Sequence, residues 1–180
     1  MASRDPSRGE TAVSTLAGQG LSVEHVILDV TDDDSIIAAA KVVEEKNGHI
    51  DVLVNNAGII VKHLNDRSRR QAWKDTFDTN VFGVAPVTDA FIPLLKKSVD
   101  PAPRAVFGSS DLGRLETKYD PQHQHFKRPV LVYRCSKTAL HMLALAERSV
   151  EGGPKNAVRL AVLGKDGETG QISGDEGILP

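Results

Sequence analysis

Cysteine, aromatic residues and long apolar runs are all scarce in this chain of 180 residues. A single cysteine, Cys135, excludes a disulfide within the chain and fits a reducing compartment. No apolar run approaches the roughly 18 residues of a membrane-spanning helix, and the polar first residues show no signal-peptide pattern. The net charge of -2 gives no reason to expect nucleic-acid binding. We therefore expect a cytoplasmic protein that binds neither membranes nor nucleic acids.

Metal-ligand patterns are lacking as well. His123 and His125 lie in a polar loop and complete no recognisable ligand set with a cysteine or a carboxylate. Two such histidines are more often solvated than metal-bound, so we expect no metal site.

The order of the predicted elements indicates the fold class. Hydrophobic residues make up 40% of the chain and charged residues 26%, which is ordinary for a soluble protein with a core. Residues 1–180 are predicted to form a single domain. Alternating strand and helix patterns predict an α/β sheet with helices on both faces. Helices are predicted at 8–19, 31–47, 67–97 and 133–148, strands at 23–28, 52–54, 104–107 and 158–163, and one short edge strand in the tail 164–180.

The longest predicted helix, 67–97, contains two prolines. Pro86 and Pro93 are expected to kink or divide it, because proline lacks the backbone N–H of a helical hydrogen bond. Its core candidates are Trp73, Phe77, Phe82 and Leu94.

Tyr133 and Lys137 are the most informative pair in the chain. Residues four apart lie on one face of a helix, so the phenol and the ammonium can share a site. A nearby cation favours the phenolate, and we expect it to lower the pKa of Tyr133 from about 10 toward the working range. A tyrosine tuned in this way can exchange a proton with a carbonyl or an alcohol. The pair alone is also compatible with an ordinary helix face.

Three further segments, in order, strengthen the functional interpretation. Residues 51–58 form an apolar strand that runs into Asn-Asn-Ala-Gly, residues 78–83 read Asp-Thr-Asn-Val-Phe-Gly, and residues 105–113 form a strand that ends in serines. With Tyr133 and Lys137, these segments resemble the short-chain dehydrogenase/reductase family, and most closely its small carbonyl-reductase-like members. The resemblance covers nearly the whole chain and implies a Rossmann-like, doubly wound parallel sheet.

The resemblance also implies a role for four side chains. Ser110, rather than its neighbour Ser109, matches the serine that hydrogen-bonds the substrate carbonyl. Tyr133 matches the general acid, and Lys137 matches the group that holds the ribose and lowers the pKa of the tyrosine. Both also match cofactor-binding residues. Asn80 matches the residue that holds a helix bend and a proton-relay water. The substrate implied is a ketone or aldehyde, or the corresponding alcohol.

A second set of residues matches the family's cofactor contacts. Asn56, Ala57 and Gly58 combine an amide with small residues that let the backbone approach a cofactor, although a simple turn is the alternative. Asp29 matches an acid that contacts adenine, and it is equally compatible with a cap before a helix. Arg4 resembles the arginine that grips the 2′-phosphate of NADP, or is a solvated charge. NADP is therefore favoured over NAD.

Two family features are absent from the sequence. No G-x-x-x-G-x-G turn, which places a pyrophosphate at a helix N-terminus, occurs anywhere in the chain. The resemblance implies that the strand before this turn, which lies mid-sheet, is missing too, and that the substrate-covering region is short. The chain therefore looks N-terminally truncated, and exposed strand edges could favour a homo-oligomer. The alternative to a reductase is an inactive relative that binds nucleotide weakly or only pairs with a homologue.

Overall fold

The computed structural model describes residues 1–61, 68–101, 103–146, 159–163 and 169–172, the last two ranges as backbone only. Strands and helices alternate along the described chain, as the sequence predicts. The strands are β1 (Ala2–Ser3), β2 (Val26–Ile27), β3 (Val52–Asn55), β4 (Arg104–Ser109), β5 (Arg159–Leu163) and β6 (Thr169–Ile172). The helices are α1 (Pro6–Ala17), α2 (Asp33–Asn47), α3 (Arg69–Phe77), α4 (Val84–Lys96), α5 (Glu116–Tyr119) and α6 (Leu131–Ala146).

The strands form two separate sheets. In the larger sheet the order is β3-β4-β5-β6, with parallel pairs except for the antiparallel edge strand β6, which lies in the predicted tail. In the smaller sheet β1 pairs with β2 in parallel. A cavity of about 680 Å³ is lined by β1 on one side and by all four residues of β3 on the other. The Rossmann-like α/β fold is thus confirmed, and its described strands are divided between two sheets.

Helix α4 connects the two halves of the core. Val84 and Leu95 pack in one buried cluster with Phe107 of β4. Val87 and Phe91 pack in a second cluster with Ile36 and other residues of α2. Leu53 of β3 packs against both clusters, and Asn55 at the end of β3 donates a hydrogen bond to Thr88 of α4. Helix α4 therefore fixes the position of the end of β3.

Helix α2 is capped at both ends by residues that adjoin it in the sequence. Asp32 accepts hydrogen bonds from the backbone N–H groups of Asp34 and Ser35. Gly48 ends the helix at φ 74°, a left-handed conformation that glycine adopts without strain. These caps place Asp29, just before the helix, at the edge of the large cavity.

The long predicted helix is divided, but not at its prolines. A π-helical turn, Asp78–Phe82, separates α3 from α4, whereas Pro86 and Pro93 both lie within α4. A π-helical turn holds one residue more than an α-helical turn, which rotates the side chains that follow it. Asn80 is fully buried and Phe82 is 61% exposed. The prediction of a break at the prolines and of a core position for Phe82 was therefore wrong.

Candidate active site

Two polar segments meet where the parallel strands β3 and β4 end. The carboxyl ends of paired parallel strands lie at one edge of a sheet, so residues 56–60 come beside residues 108–110. Helix α6 adds Tyr133 and Lys137 to the same place. Together these residues enclose a cleft of about 230 Å³, lined by Asn56, Gly58, Ile59, Ile60, Gly108, Ser109, Ser110, Tyr133 and Lys137.

Lys137 is buried deep in this cleft. Its side chain lies on the same face of α6 as Tyr133, and its Nζ is 5.6 Å from the centre of the phenol ring. The ammonium donates a hydrogen bond of 2.6 Å to the carbonyl of Gly108. Only 3% of the residue is exposed, and this burial lowers its pKa from 10.5 to about 8.

The pKa of Tyr133 contradicts the prediction from the sequence. Burial of the phenol raises its pKa above the ordinary value of 10, while a side-chain hydrogen bond with Ser110 and the charge of Arg128 act in the opposite direction. The ammonium of Lys137 was expected to lower this pKa, but it is directed at the Gly108 carbonyl rather than at the phenol oxygen. Desolvation consequently exceeds the attraction of nearby cations.

The depressed pKa of Lys137 predicts how stability changes with pH. An unfolded lysine holds its proton up to about pH 10.5, whereas folded Lys137 releases it near pH 8, so between these values the unfolded state binds more protons. The cost of burying the ammonium is complete below pH 8 and is relieved as the pH rises. We expect Lys137→Met to stabilise the fold relative to wild type below pH 8, and this advantage to shrink toward pH 10.5. Urea unfolding of both proteins across this pH range measures the difference in their free energies of unfolding. A difference that does not change with pH would contradict the prediction.

Ser110 links the end of β4 to Tyr133. Its Oγ accepts a hydrogen bond of 3.2 Å from the backbone N–H of Leu112, and so caps the single 3₁₀ turn Asp111–Gly113. The Ser110 hydroxyl also lies near enough to the Tyr133 phenol to act on its pKa, in the direction that favours the phenolate. The neighbouring Ser109 is only 7% exposed, and its Oγ has no hydrogen-bond partner in the described part of the chain.

Asn80 anchors the other wall of the cleft. Its Oδ1 accepts a hydrogen bond of 2.7 Å from the backbone N–H of Ile59, and its Nδ2 donates to the Ile59 carbonyl at 3.0 Å. The same Nδ2 donates to Ser136 Oγ at 3.0 Å. Asn80 itself lies within the π-helical turn. Ser136, which precedes Lys137 in the sequence, is fully buried. Sequence reasoning did not identify it as a hydrogen-bond partner of Asn80.

The predicted cofactor residues line the large cavity between the sheets. Arg4, Asp29 and the segment 56–58 all contribute to its wall. Hydrogen bonds from the backbone N–H and the hydroxyl of Thr31 lower the pKa of the Asp29 carboxyl, and the charge of Arg4 adds to this effect. The helix cap itself is Asp32 rather than Asp29. The large cavity and the cleft share Asn56, Gly58 and Ile59, so the two spaces are neighbours.

None of the described helices has the length and apolarity that a membrane crossing requires. In the same described ranges, no three His, Cys, Asp or Glu side chains group as metal ligands do.

Comparison with known proteins places this geometry in a family. The family model for short chain dehydrogenases matches residues 1–163. Short-chain dehydrogenase anuI of Penicillium roqueforti is 36% identical over 150 residues, which cover 82% of this chain and 60% of that protein. Carbonyl reductase (NADPH) 1 of Mus musculus is 40% identical over 96 residues, which cover 53% of this chain and 35% of that protein.

Solved structures agree with these matches. The NADPH-bound carbonyl reductase from chicken fatty liver is similar with a TM-score of 0.66 at 30% identity, over 82% of this chain and 62% of that one. The Pseudomonas aeruginosa RhlG/NADP complex, at a TM-score of 0.74 and 21% identity over 89% and 60% of the two chains, supports the fold alone. The chain spans 60% and 57% of the length of two curated relatives that it matches. On this evidence the chain belongs to the short-chain dehydrogenase family of oxidoreductases.

Proposed function

We propose that the protein reduces a ketone or aldehyde with NADPH, or oxidises the matching alcohol with NADP. The observation that carries this proposal is the single cleft that Ser110, Tyr133 and the buried Lys137 line together. Its direct test is the loss of NADPH absorbance with a panel of aldehydes and ketones. Absence of turnover in a cofactor-competent form of the chain would exclude it.

Four polar residues at or beside the cleft have separate roles in this reaction. Ser110 and Tyr133 both present hydroxyl groups to a carbonyl oxygen, which fixes its position and stabilises the negative charge that develops there. Tyr133 then gives its proton to that oxygen; its raised pKa keeps the phenol protonated at neutral pH. Lys137 and Asn80 hold the floor of the cleft through Gly108 and Ile59. A nicotinamide held beside this cleft would supply the hydride that the reduction of the carbonyl requires.

The residues around the two cavities fit a dinucleotide at both of its ends. Ala57 and Gly58 are small residues on the wall of the large cavity, and Gly58 also lines the cleft. A Cβ added at Gly58 would take up space 3.5 Å from both Lys137 Nζ and Asn80 Oδ1. The buried Ser109 hydroxyl offers a free polar group at the cleft. The middle of a dinucleotide has less support, because the sequence has no glycine-rich turn for the pyrophosphate.

Arg4 is the residue on which we base the preference for NADP. It lies on the cavity wall close enough to Asp29 to influence that carboxyl, and a guanidinium matches a phosphate better than a ribose diol. We expect Arg4→Ala to weaken NADPH binding about tenfold or more and to leave NADH binding nearly unchanged. Titration of both nucleotides measures this.

The neighbouring Arg8 provides a matched control for this substitution. It is exposed and pairs with Asp5 at 3.5 Å. Arg8→Ala should leave the ratio of the two affinities unaltered. An equal loss for NADPH and NADH in Arg4→Ala would show that Arg4 has no selective role.

A second candidate function is a weak nucleotide-binding or interaction domain without turnover. The open cavity between β1 and β3 favours it, since among the described residues no strand pairs with either of them on that side. Under this hypothesis the edges pair with another chain, and the protein is an oligomer.

A further inference from the structure

Arg134 is a buried cation directly beside Tyr133 in the sequence. Only 7% of the residue is exposed, and no carboxylate pairs with it among the described residues. Burial accordingly lowers its pKa. A charge buried without an acid is costly unless hydrogen bonds replace its water, and Arg134 is held by oxygen acceptors instead.

All three of these acceptors lie on the segment that follows Ser110. Nη1 donates to Thr117 Oγ1 at 3.0 Å and to the Leu112 carbonyl at 3.4 Å. Nη2 donates to the carbonyl of His125. One side chain of α6 therefore holds the start, the middle and the end of the segment 112–125.

A second set of contacts joins this segment to α6 at the same level. The Thr138 hydroxyl donates to the Gly113 carbonyl at 2.7 Å. Gly113 lies so close to the helix that an added Cβ would stand 2.8 Å from the Lys137 carbonyl carbon. The 3₁₀ turn capped by Ser110 is thus pressed against the helix that carries Tyr133 and Lys137.

We propose that Arg134 is a positioning residue: it fastens the segment 112–125 to α6, so that Ser110 reaches the Tyr133 phenol and the phenol stays shielded from water. The inference rests on the proposed function only in so far as Tyr133 is the proton donor. Its direct consequence concerns the phenol itself, and it can be measured without cofactor or turnover.

The shape of the arginine side chain explains why this residue type suits the position. The guanidinium is a planar fork with several fixed N–H donors, which lets one group reach acceptors on three different stretches of chain. A lysine offers a single point charge and cannot span Leu112, Thr117 and His125 together. A methionine of similar length offers no donor at all.

The test is a spectrophotometric titration of Tyr133. The chain has only two tyrosines, and the other, Tyr119, is 86% exposed, so Tyr119→Phe leaves one reporter without disturbing the cleft. In this background the pKa of Tyr133 should lie above 10, since burial is the largest influence on it. Circular dichroism at each pH establishes that the protein is still folded.

Arg134→Met should release the segment, which hydrates the phenol and also withdraws Ser110 from it. Because burial is the largest influence on the pKa of Tyr133, the net change should be downward, toward 10. Ser110→Ala should move the pKa the opposite way, because it removes a hydrogen bond that favours the phenolate and keeps the burial. Arg134→Lys should give an intermediate value. Thr117→Val, which removes one acceptor at nearly constant shape, should give a smaller shift in the same direction as Arg134→Met.

Lys127→Met is the matched control, since it removes an exposed cation just beyond the end of this segment and should leave the pKa of Tyr133 unaltered. Hydrogen exchange at neutral pH should be faster in residues 112–125 for Arg134→Met and not for Lys127→Met. If Arg134→Met does not fold, the Arg134→Lys and Thr117→Val shifts decide the question. An unchanged or raised pKa of Tyr133 in the folded Arg134 and Thr117 variants would overturn the proposal. If the predicted downward pKa shifts occur but the protein shows no reductase activity, the result counts only against the proposed function.

Discussion

Replacement of Tyr133 by phenylalanine is expected to abolish carbonyl reduction while leaving the fold and nucleotide binding in place. The substitution removes only the phenol hydroxyl at the cleft, and the ring keeps its place beside Lys137. A positioned general acid contributes about 10²–10⁴ to a rate, so kcat/KM should fall by that factor. NADPH oxidation with a panel of ketones and aldehydes measures it, and a nucleotide titration checks that binding persists.

Tyr119→Phe is the matched control for this experiment. Tyr119 is exposed at the end of α5, outside the cleft, so the same loss of a phenol oxygen there should leave turnover unaltered. Comparable turnover by wild type and Tyr133→Phe would show that the proton comes from another group, and the assignment of Ser110 and Tyr133 as the reacting pair would then fail.

The second large effect is expected when a strand is supplied between β1 and β3. The exposed side chains of Val52 and Val54 make the edge at β3 apolar, and the cavity beside it has a volume of about 680 Å³. Fusing a strand–GxxxGxG–helix segment from a family relative ahead of Met1 should pair both edges and add the backbone N–H groups that bind a pyrophosphate. We expect a higher melting temperature, a monomeric protein and at least tenfold tighter NADPH binding.

A variant of this fusion with the glycines of the turn replaced by valine separates the two effects. The strand remains, so the stability gain should persist, but the turn can no longer approach a pyrophosphate and the gain in affinity should be lost. Robust turnover by the 180-residue chain alone, as a monomer, would show that the glycine turn is dispensable. Tight NADPH binding without turnover in the fusion would instead favour the non-catalytic hypothesis.

The amino-acid sequence by itself determined the family, the order of the elements and the cluster of reactive groups. Tyr133 and Lys137 share a helix face because residues four apart in any α-helix do so, and strands that end in serine or Asn-Asn-Ala-Gly deliver polar groups to one sheet edge when they pair in parallel. The caps at Asp32 and Gly48 likewise depend on local backbone chemistry alone.

Only the tertiary structure determined the burial and the pKa values of those groups. The break at the π-helical turn rather than at Pro86 or Pro93, and the burial of Asn80 that follows from it, depend on packing between segments far apart in sequence. The pKa of Tyr133 rises instead of falling because burial outweighs an ammonium that is bonded to Gly108. Desolvation and long-range hydrogen bonds exist only once distant segments are in contact, so no pattern within a single segment could have predicted them.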